Sequence, residues 1–359
     1  MRKNPLNLLP LAGFDRIFCA VLVWLAGTVP VSGYNDAGAA LARGDYAAAY
    51  RAFAARAERG DPVAQNNLGV LYLKGRGTPR DFGSARVWFE QAAAQGLPGA
   101  KHNLGMMYLR GYGMTPDPVE AARWLTAAAE DGDREAQFFT GLLHYRGEGV
   151  ARDAAVARRW FTRAADQGLP SAVYNLAVMQ VAGEGGARDE QQAVTYLEKH
   201  RHTSEPLAIL LSRIHLAHAD DPRRGDAALA ILKPLAEGGS PEAQFELGMM
   251  YVAGRGVARD LEEGRFWLQQ ASRLGFGPAQ LNLGSLYARG LGVTPDPVEA
   301  TVWFTLAAAN GESLAAQYLN VVQDELSGED RARAEQQVAA FREKHAGAVK
   351  APAHNHGQP

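Results

Sequence analysis

The chain has 359 residues, a formal net charge of −2 and a single cysteine. Lys+Arg 37 against Asp+Glu 39 excludes an electrostatic grip on nucleic acid and leaves no polybasic patch for a membrane surface. Hydrophobic residues make up 47%, inflated by alanine, enough for a long solenoid or two ordinary domains.

In chain order, the first element is an export signal. Arg2, Lys3 and Arg16 precede an apolar run over residues 17–27, and Pro30, Val31, Ser32 and Gly33 follow with small side chains. That order predicts a secretory signal peptide over residues 1–33, cut near Gly33 and Tyr34. An uncleaved anchor is the alternative, but the apolar run is too short where a membrane span wants about 20 residues. Cys19 lies inside the signal, so the mature chain is predicted to have no thiol. Residues 34–61 read as an N-terminal half-repeat, with Ala49, Tyr50, Phe53 and Ala57 at helical spacing before Gly60.

From residue 62 the chain repeats itself every 36 residues. Asn67-Leu68-Gly69 returns as Asn103-Leu104-Gly105 and Asn282-Leu283-Gly284. Tyrosine returns as Tyr72, Tyr108, Tyr251 and Tyr287, and tryptophan as Trp88, Trp124, Trp160, Trp267 and Trp303. A fixed period of this length marks units that bury their apolar faces only against neighbours. Each unit reads as a helical hairpin. Ala100, Leu104, Met107 and Tyr108 share one face of its first helix, and Gly111 and Gly113 stop it. Asp117 caps the second helix and Pro118 opens it; Ala121, Trp124, Leu125 and Ala128 form its buried stripe. Gly105 costs its helix about 1 kcal/mol against alanine, and its recurrence predicts close approach of the partner helix. Trp124 is expected to fill the space between units.

Four such repeats run over residues 62–202, and more over 241–311. Residues 203–240 are a degenerate repeat and a possible hinge, without the Gly-x-Gly turn. Residues 312–345 read as C-terminal capping helices, with Ser327 to Asp330 as a capping box, and 346–359 as a disordered tail. The expected fold is all-α, an α-solenoid of about eight helical-hairpin repeats of 36 residues.

The pattern A-x-Q-x-N-L-G-x-x-Y-x-x-G-x-G followed by D-x-x-x-A-x-x-W-x-x-x-A-A-x-x-G resembles the Sel1-like repeat, a relative of the tetratricopeptide repeat. The resemblance covers most of residues 34–345. It implies an adaptor rather than a catalyst, and the lack of mature cysteines sets the chain apart from the disulfide-stapled branch of that family. First helices in such arrays line the inner, concave side. Aligned in that way, a partner-binding face is expected at His102, Met106, Leu109 and Arg110, then Phe138, Leu142, Tyr145 and Arg146. It continues through Tyr174 and Val178 and resumes at Phe245 and Met249. Aromatics beside arginine are the composition of binding hot spots. The basic row Lys74, Arg110 and Arg146 suits a peptide with acidic groups or a free carboxylate. Packing of these side chains onto neighbouring first helices is the competing expectation.

No nucleophile elbow, phosphate loop or zinc-protease motif is present, so no catalytic residue is assigned. His200, His202, His215 and His218 lie close in sequence but read as a drifted repeat, and no metal or cofactor is expected. His144 and His215 fall in the tyrosine slot and are expected to pack there. The recurring aspartates, such as Asp117 and Asp153, read as helix caps rather than calcium loops. Asn67, Asn103, Asn175 and Asn282 form either a structural bond in each unit or a ladder of amides for an extended peptide. The functional expectation is a monomeric, exported scaffold, periplasmic or secreted, that binds a protein or peptide and no nucleic acid. Two alternatives are a cell-wall-active hydrolase or β-lactam-binding protein, and a structural subunit of an envelope polysaccharide or secretion complex.

Overall fold

The structure is a computed structural model that describes residues 35–324 and 326–345. The expected signal peptide and tail lie outside the described residues. Those residues hold eighteen α-helices and no strand, and divide at Thr203 and Ser204 into two compact units. The first contains α1 (Asn35–Ala42), α2 (Tyr46–Ala57), α3 (Pro62–Lys74), α4 (Phe82–Ala94), α5 (Pro98–Arg110), α6 (Pro118–Glu130), α7 (Arg134–Arg146), α8 (Ala154–Asp166), α9 (Pro170–Ala182) and α10 (Glu190–His200). The second contains α11 (Glu205–Leu216), α12 (Pro222–Glu237), α13 (Pro241–Ala253), α14 (Leu261–Arg273), α15 (Gly277–Arg289), α16 (Pro297–Ala309), α17 (Ala315–Gln323) and α18 (Gly328–Lys344). Within each unit a helix packs on its neighbours in the chain, as a solenoid requires.

One repeat shows why these residues make a hairpin. The Asp133 carboxylate accepts the Ala136 N–H at 2.7 Å and starts α7. Gly147 ends it with φ +73°, a left-handed conformation that costs a side chain about 1–2 kcal/mol. The Asp153 N–H then donates to the His144 carbonyl at 2.8 Å, closing the loop. The Asp153 carboxylate in turn accepts from Ala155 and Val156 N–H and starts α8. Asp81, Asp117, Asp189, Asp260 and Asp296 cap their second helices through the same acceptor role.

The helix-interior glycine meets a large side chain from the partner helix. A Cβ on Gly141 would lie 2.7 Å from Phe161 Cε1, and one on Gly105 would lie 2.6 Å from Leu125 Cγ. Phe89 fills against Gly69 in the same way, Leu268 against Gly248 and Phe304 against Gly284. The core plug is therefore the residue after the tryptophan. Trp88, Trp124 and Trp267 are only half-buried, and the Arg123 guanidinium lies 4.9 Å over the Trp124 ring. The expectation that Trp124 fills the space between repeats holds only in part: it packs against the cluster of Val70, Phe89 and Leu104 but is not fully buried, whereas Trp160 and Trp303 are buried.

Successive repeats are joined by glutamines at the start of the first helix. Gln137 Nε2 donates to the Ala129 carbonyl at the end of α6, while Gln167 Nε2 donates to Gln137 Oε1 at 2.8 Å. Gln65 and Gln280 make the same pair of bonds with Ala57 and Gln95, and with Ser272 and Asn310. Where lysine replaces the glutamine, Lys101 reaches Asp131 instead.

The ends differ from the middle. Residues 35–57 form a short hairpin rather than a single-helix half-repeat, with the three-residue turn Arg43, Gly44 and Asp45 between α1 and α2. The degenerate repeat keeps its hairpin as α11 and α12. At the other end Ser327 caps α18, and Ala334 and Val338 turn inward, with Phe341 edge-on to Trp303 at 5.5 Å.

Candidate functional site: the first-helix face

The expected binding face divides by depth along the first helices. His102, Met106, Phe138, Leu142 and Val178 are buried, which corrects their assignment to an open groove. The reason is lateral packing. The His102 ring lies edge-on to Phe139 of the next first helix at 5.8 Å, and its Nδ1 is 3.0 Å from Asp133. Phe138 packs against Phe139 and Phe161. Burial acts to raise the Asp133 carboxyl, but the bond with His102 and the Ala136 N–H outweigh it and hold the group below the usual carboxylate range. The stability Asp133 contributes is thus present above its unfolded pKa and is lost as pH falls through the lower folded one.

What remains accessible lies toward the C-terminal ends of these helices. Lys74, Leu109, Arg110, Tyr145 and Tyr174 are half-buried, and Arg146 is exposed. The Tyr145 hydroxyl donates to Glu184 at 2.9 Å. Burial, with that carboxylate beside it, pushes its pKa up to about 12, so it stays a neutral donor. In the second unit Phe245 and Met249 are half-buried beside Val252 and Phe276.

The asparagines do not form one continuous ladder. Asn103 Nδ2 donates to Asn66 Oδ1 at 2.9 Å between adjacent repeats, and Asn282 donates to the Pro278 carbonyl of its own helix. Asn67, by contrast, is 1% exposed and has no partner for either amide atom among the described residues. It lines a pocket of about 50 Å³ with Leu41, Tyr46, Val70, Leu71, Lys74 and Arg76. Leu41, Tyr46 and Arg76 were not legible as site residues, because the shortened first hairpin brings them there.

His144 is half-buried and His215 buried in the tyrosine slot. Burial, with Lys199 adding to it, holds the His200 imidazole below its ordinary pKa. Among the described residues no group of three His, Cys, Asp or Glu is placed to hold a metal ion. No helix among them is long and apolar enough to cross a membrane.

The family model described as Sel1 repeat matches residues 62–97, 98–133, 134–169, 170–199, 241–276 and 277–312. No curated protein matches the chain. Among solved structures, a Sel1 repeat protein from Oxalobacter formigenes is similar at 28% identity over 90% of this chain and 95% of its own, with a TM-score of 0.58. A protective antigen present in uropathogenic Escherichia coli strains, displaying an SLR fold, is similar at 25% identity over 88% of this chain and 77% of its own, with a TM-score of 0.47. The six matched segments account for more than half of the sequence and set the hairpin boundaries seen in the structure. The chain belongs to the Sel1 repeat family, an all-α solenoid of tetratricopeptide-like hairpins whose repeats commonly mediate protein–protein interaction.

Proposed function

We propose that the chain is an exported, non-catalytic scaffold that binds a protein or an extended segment of one. The partner lies along the accessible ends of the first helices. The observation that carries this reading is the row Leu109, Arg110, Tyr145, Arg146 and Tyr174, which mixes apolar, aromatic and cationic groups, half-buried except for the exposed Arg146. Such a row offers desolvated anchors together with charge-assisted contacts.

A triple variant, Leu109→Ser, Tyr145→Ala and Arg146→Ala, tests it by affinity capture from envelope extract. The outer-face variant Val119→Ser, at a position 64% exposed, serves as control. The triple variant should lose its partner by about tenfold or more, the loss of one or two hot-spot contacts, while the control keeps it. Equal capture by both would reject the face. Export is tested separately by intact mass of the protein recovered from the envelope, where loss of residues 1–33 is expected. A mass that retains residues 1–27 contradicts export by a cleaved signal.

A further inference from the structure

The helix α17 is a first helix by register, since Ala315 and Leu319 stand 36 residues after Ala279 and Leu283. In every complete repeat the second helix pairs with its own first helix, as α16 does with α15. The helix that follows α17 behaves differently. α18 returns to α16, where Ala334 and Val338 join Val298, Val302 and Trp303 in one cluster and Phe341 meets the Trp303 ring. α17 holds to the fold through Leu319 and Val322, packed with Leu281, Ala300 and Phe304.

The same register puts Tyr318 and Val321 in the places of Asn103 and Met106, and of Phe139 and Leu142. In the first unit those places are buried, and neighbouring first helices meet there. Asn103 bonds Asn66 of the helix before it, and Phe139 lies edge-on to His102. On α17 they are open: Tyr318 is 43% exposed and Val321 64%, with Leu314 at 48%. Leu314, Tyr318 and Val321 fall at i, i+4 and i+7, so they form one stripe along the helix. A terminal repeat is expected to turn a polar face outward. This one turns out three large apolar side chains.

The chemistry of the stripe selects its occupant. No Asp, Glu, Lys or Arg lies between Glu312 and Asp324, so an acidic or basic partner finds nothing there to pair with. Two copies of the stripe, for the same reason, meet without like-charge repulsion. Gln317, exposed on the same helix, carries both a donor and an acceptor and can pair with its own copy. Leu314 and Val321 stand symmetrically about a midpoint between Gln317 and Tyr318. The surface therefore matches itself when turned end for end.

We propose that this stripe is the contact surface of a homodimer, in which α17 of a second copy lies antiparallel on α17 and supplies the missing first helix. About a two-fold axis between Gln317 and Tyr318, Leu314 meets Val321 of the partner subunit, and the reverse contact follows by symmetry. The Tyr318 ring already rests against Phe304 at 5.6 Å, so docking costs it little freedom. Three apolar residues a side fall well short of the roughly 20–30 of a standard interface, so the pair is a weak one. This dimer replaces the monomer expected from the sequence. It would also present two copies of any partner-binding face, which raises avidity without a new contact. The inference does not rest on the scaffold reading.

The test is sedimentation velocity of the purified protein from about 1 to 300 μM, where monomer should give way to dimer with a midpoint of roughly 10–100 μM. Val321→Glu should raise that midpoint about tenfold or more and leave the melting temperature unchanged, because the position is 64% exposed. Val119→Glu, at an equally exposed position on α6, should change neither. With Cys19→Ser in both chains, a mixture of Leu314→Cys and Val321→Cys proteins under a mild oxidant should give a disulfide-linked dimer, and each protein alone far less. A monomer at every concentration, association untouched by Val321→Glu, or equal crosslinking by either cysteine alone overturns the proposal. So does association that appears only after residues 346–359 are removed, since the occupant is then this chain's own tail. Partner capture that is lost in Val321→Glu, without any self-association, gives the stripe to another protein and overturns the dimer as well.

Discussion

Phe161→Ala should destabilise the first unit by about 3–5 kcal/mol in chemical denaturation, the range for truncating a large buried aromatic. The residue is 2% exposed and its ring fills the depression left by Gly141 on the facing helix. The neighbouring slot should behave differently. Trp124→Ala should cost about 1–2 kcal/mol, the area term for a ring that is half in water and partly covered by Arg123. A Trp124 effect equal to or larger than that of Phe161 would show that the glycine-facing residue is not the plug.

Gly149→Ala should be costly for two independent reasons and lose about 2–5 kcal/mol in all. Its φ of +70° strains any side chain, and a Cβ there would sit 1.9 Å from the Pro118 carbonyl oxygen at the start of the preceding second helix. That oxygen belongs to backbone and cannot swing aside. Gly132 supplies the control: its φ is +95°, but nothing lies within 4 Å of its virtual Cβ. Gly132→Ala should therefore carry only the backbone strain of about 1–2 kcal/mol. The difference between the two variants isolates the contact between units. Equal losses at the two glycines would mean that the turn does not hold neighbouring repeats together.

The parts of the fold that obey local chemistry were legible in the sequence. An aspartate before a helix, a glycine after one and a glycine within one each answer to a neighbour a few residues away or to a recurring partner. Asp117, Gly111 and Gly105 all took the places their chemistry demands. Trp124 and Leu125 did not separate, because residues about 100° apart can both fall within an apolar stripe that is itself about 100° wide. The choice between them falls to the glycine on the facing helix, a tertiary contact. The binding face failed in a similar way. His102 and Phe138 lie at groove positions by phase, yet Asp133 and Phe139 of the following first helix close over His102, and Phe161 of the partner helix packs against Phe138. At the first hairpin the 36-residue template breaks, since Gly44 and Asp45 replace the longer Gly-x-Gly loop. That shift in register makes the Asn67 pocket, and no periodicity argument could have placed Leu41 beside Lys74.

The most direct measurement is site-specific photo-crosslinking from a benzophenone side chain at Leu109 or at Val119 in the producing cell. Leu109 is half-buried at the end of a first helix, and Val119 is exposed on a second helix of the same repeat. A scaffold that holds its partner on first-helix ends gives a discrete adduct from position 109 and none from 119. An adduct from 119 alone, or none from 109 while affinity capture still succeeds, would contradict the account.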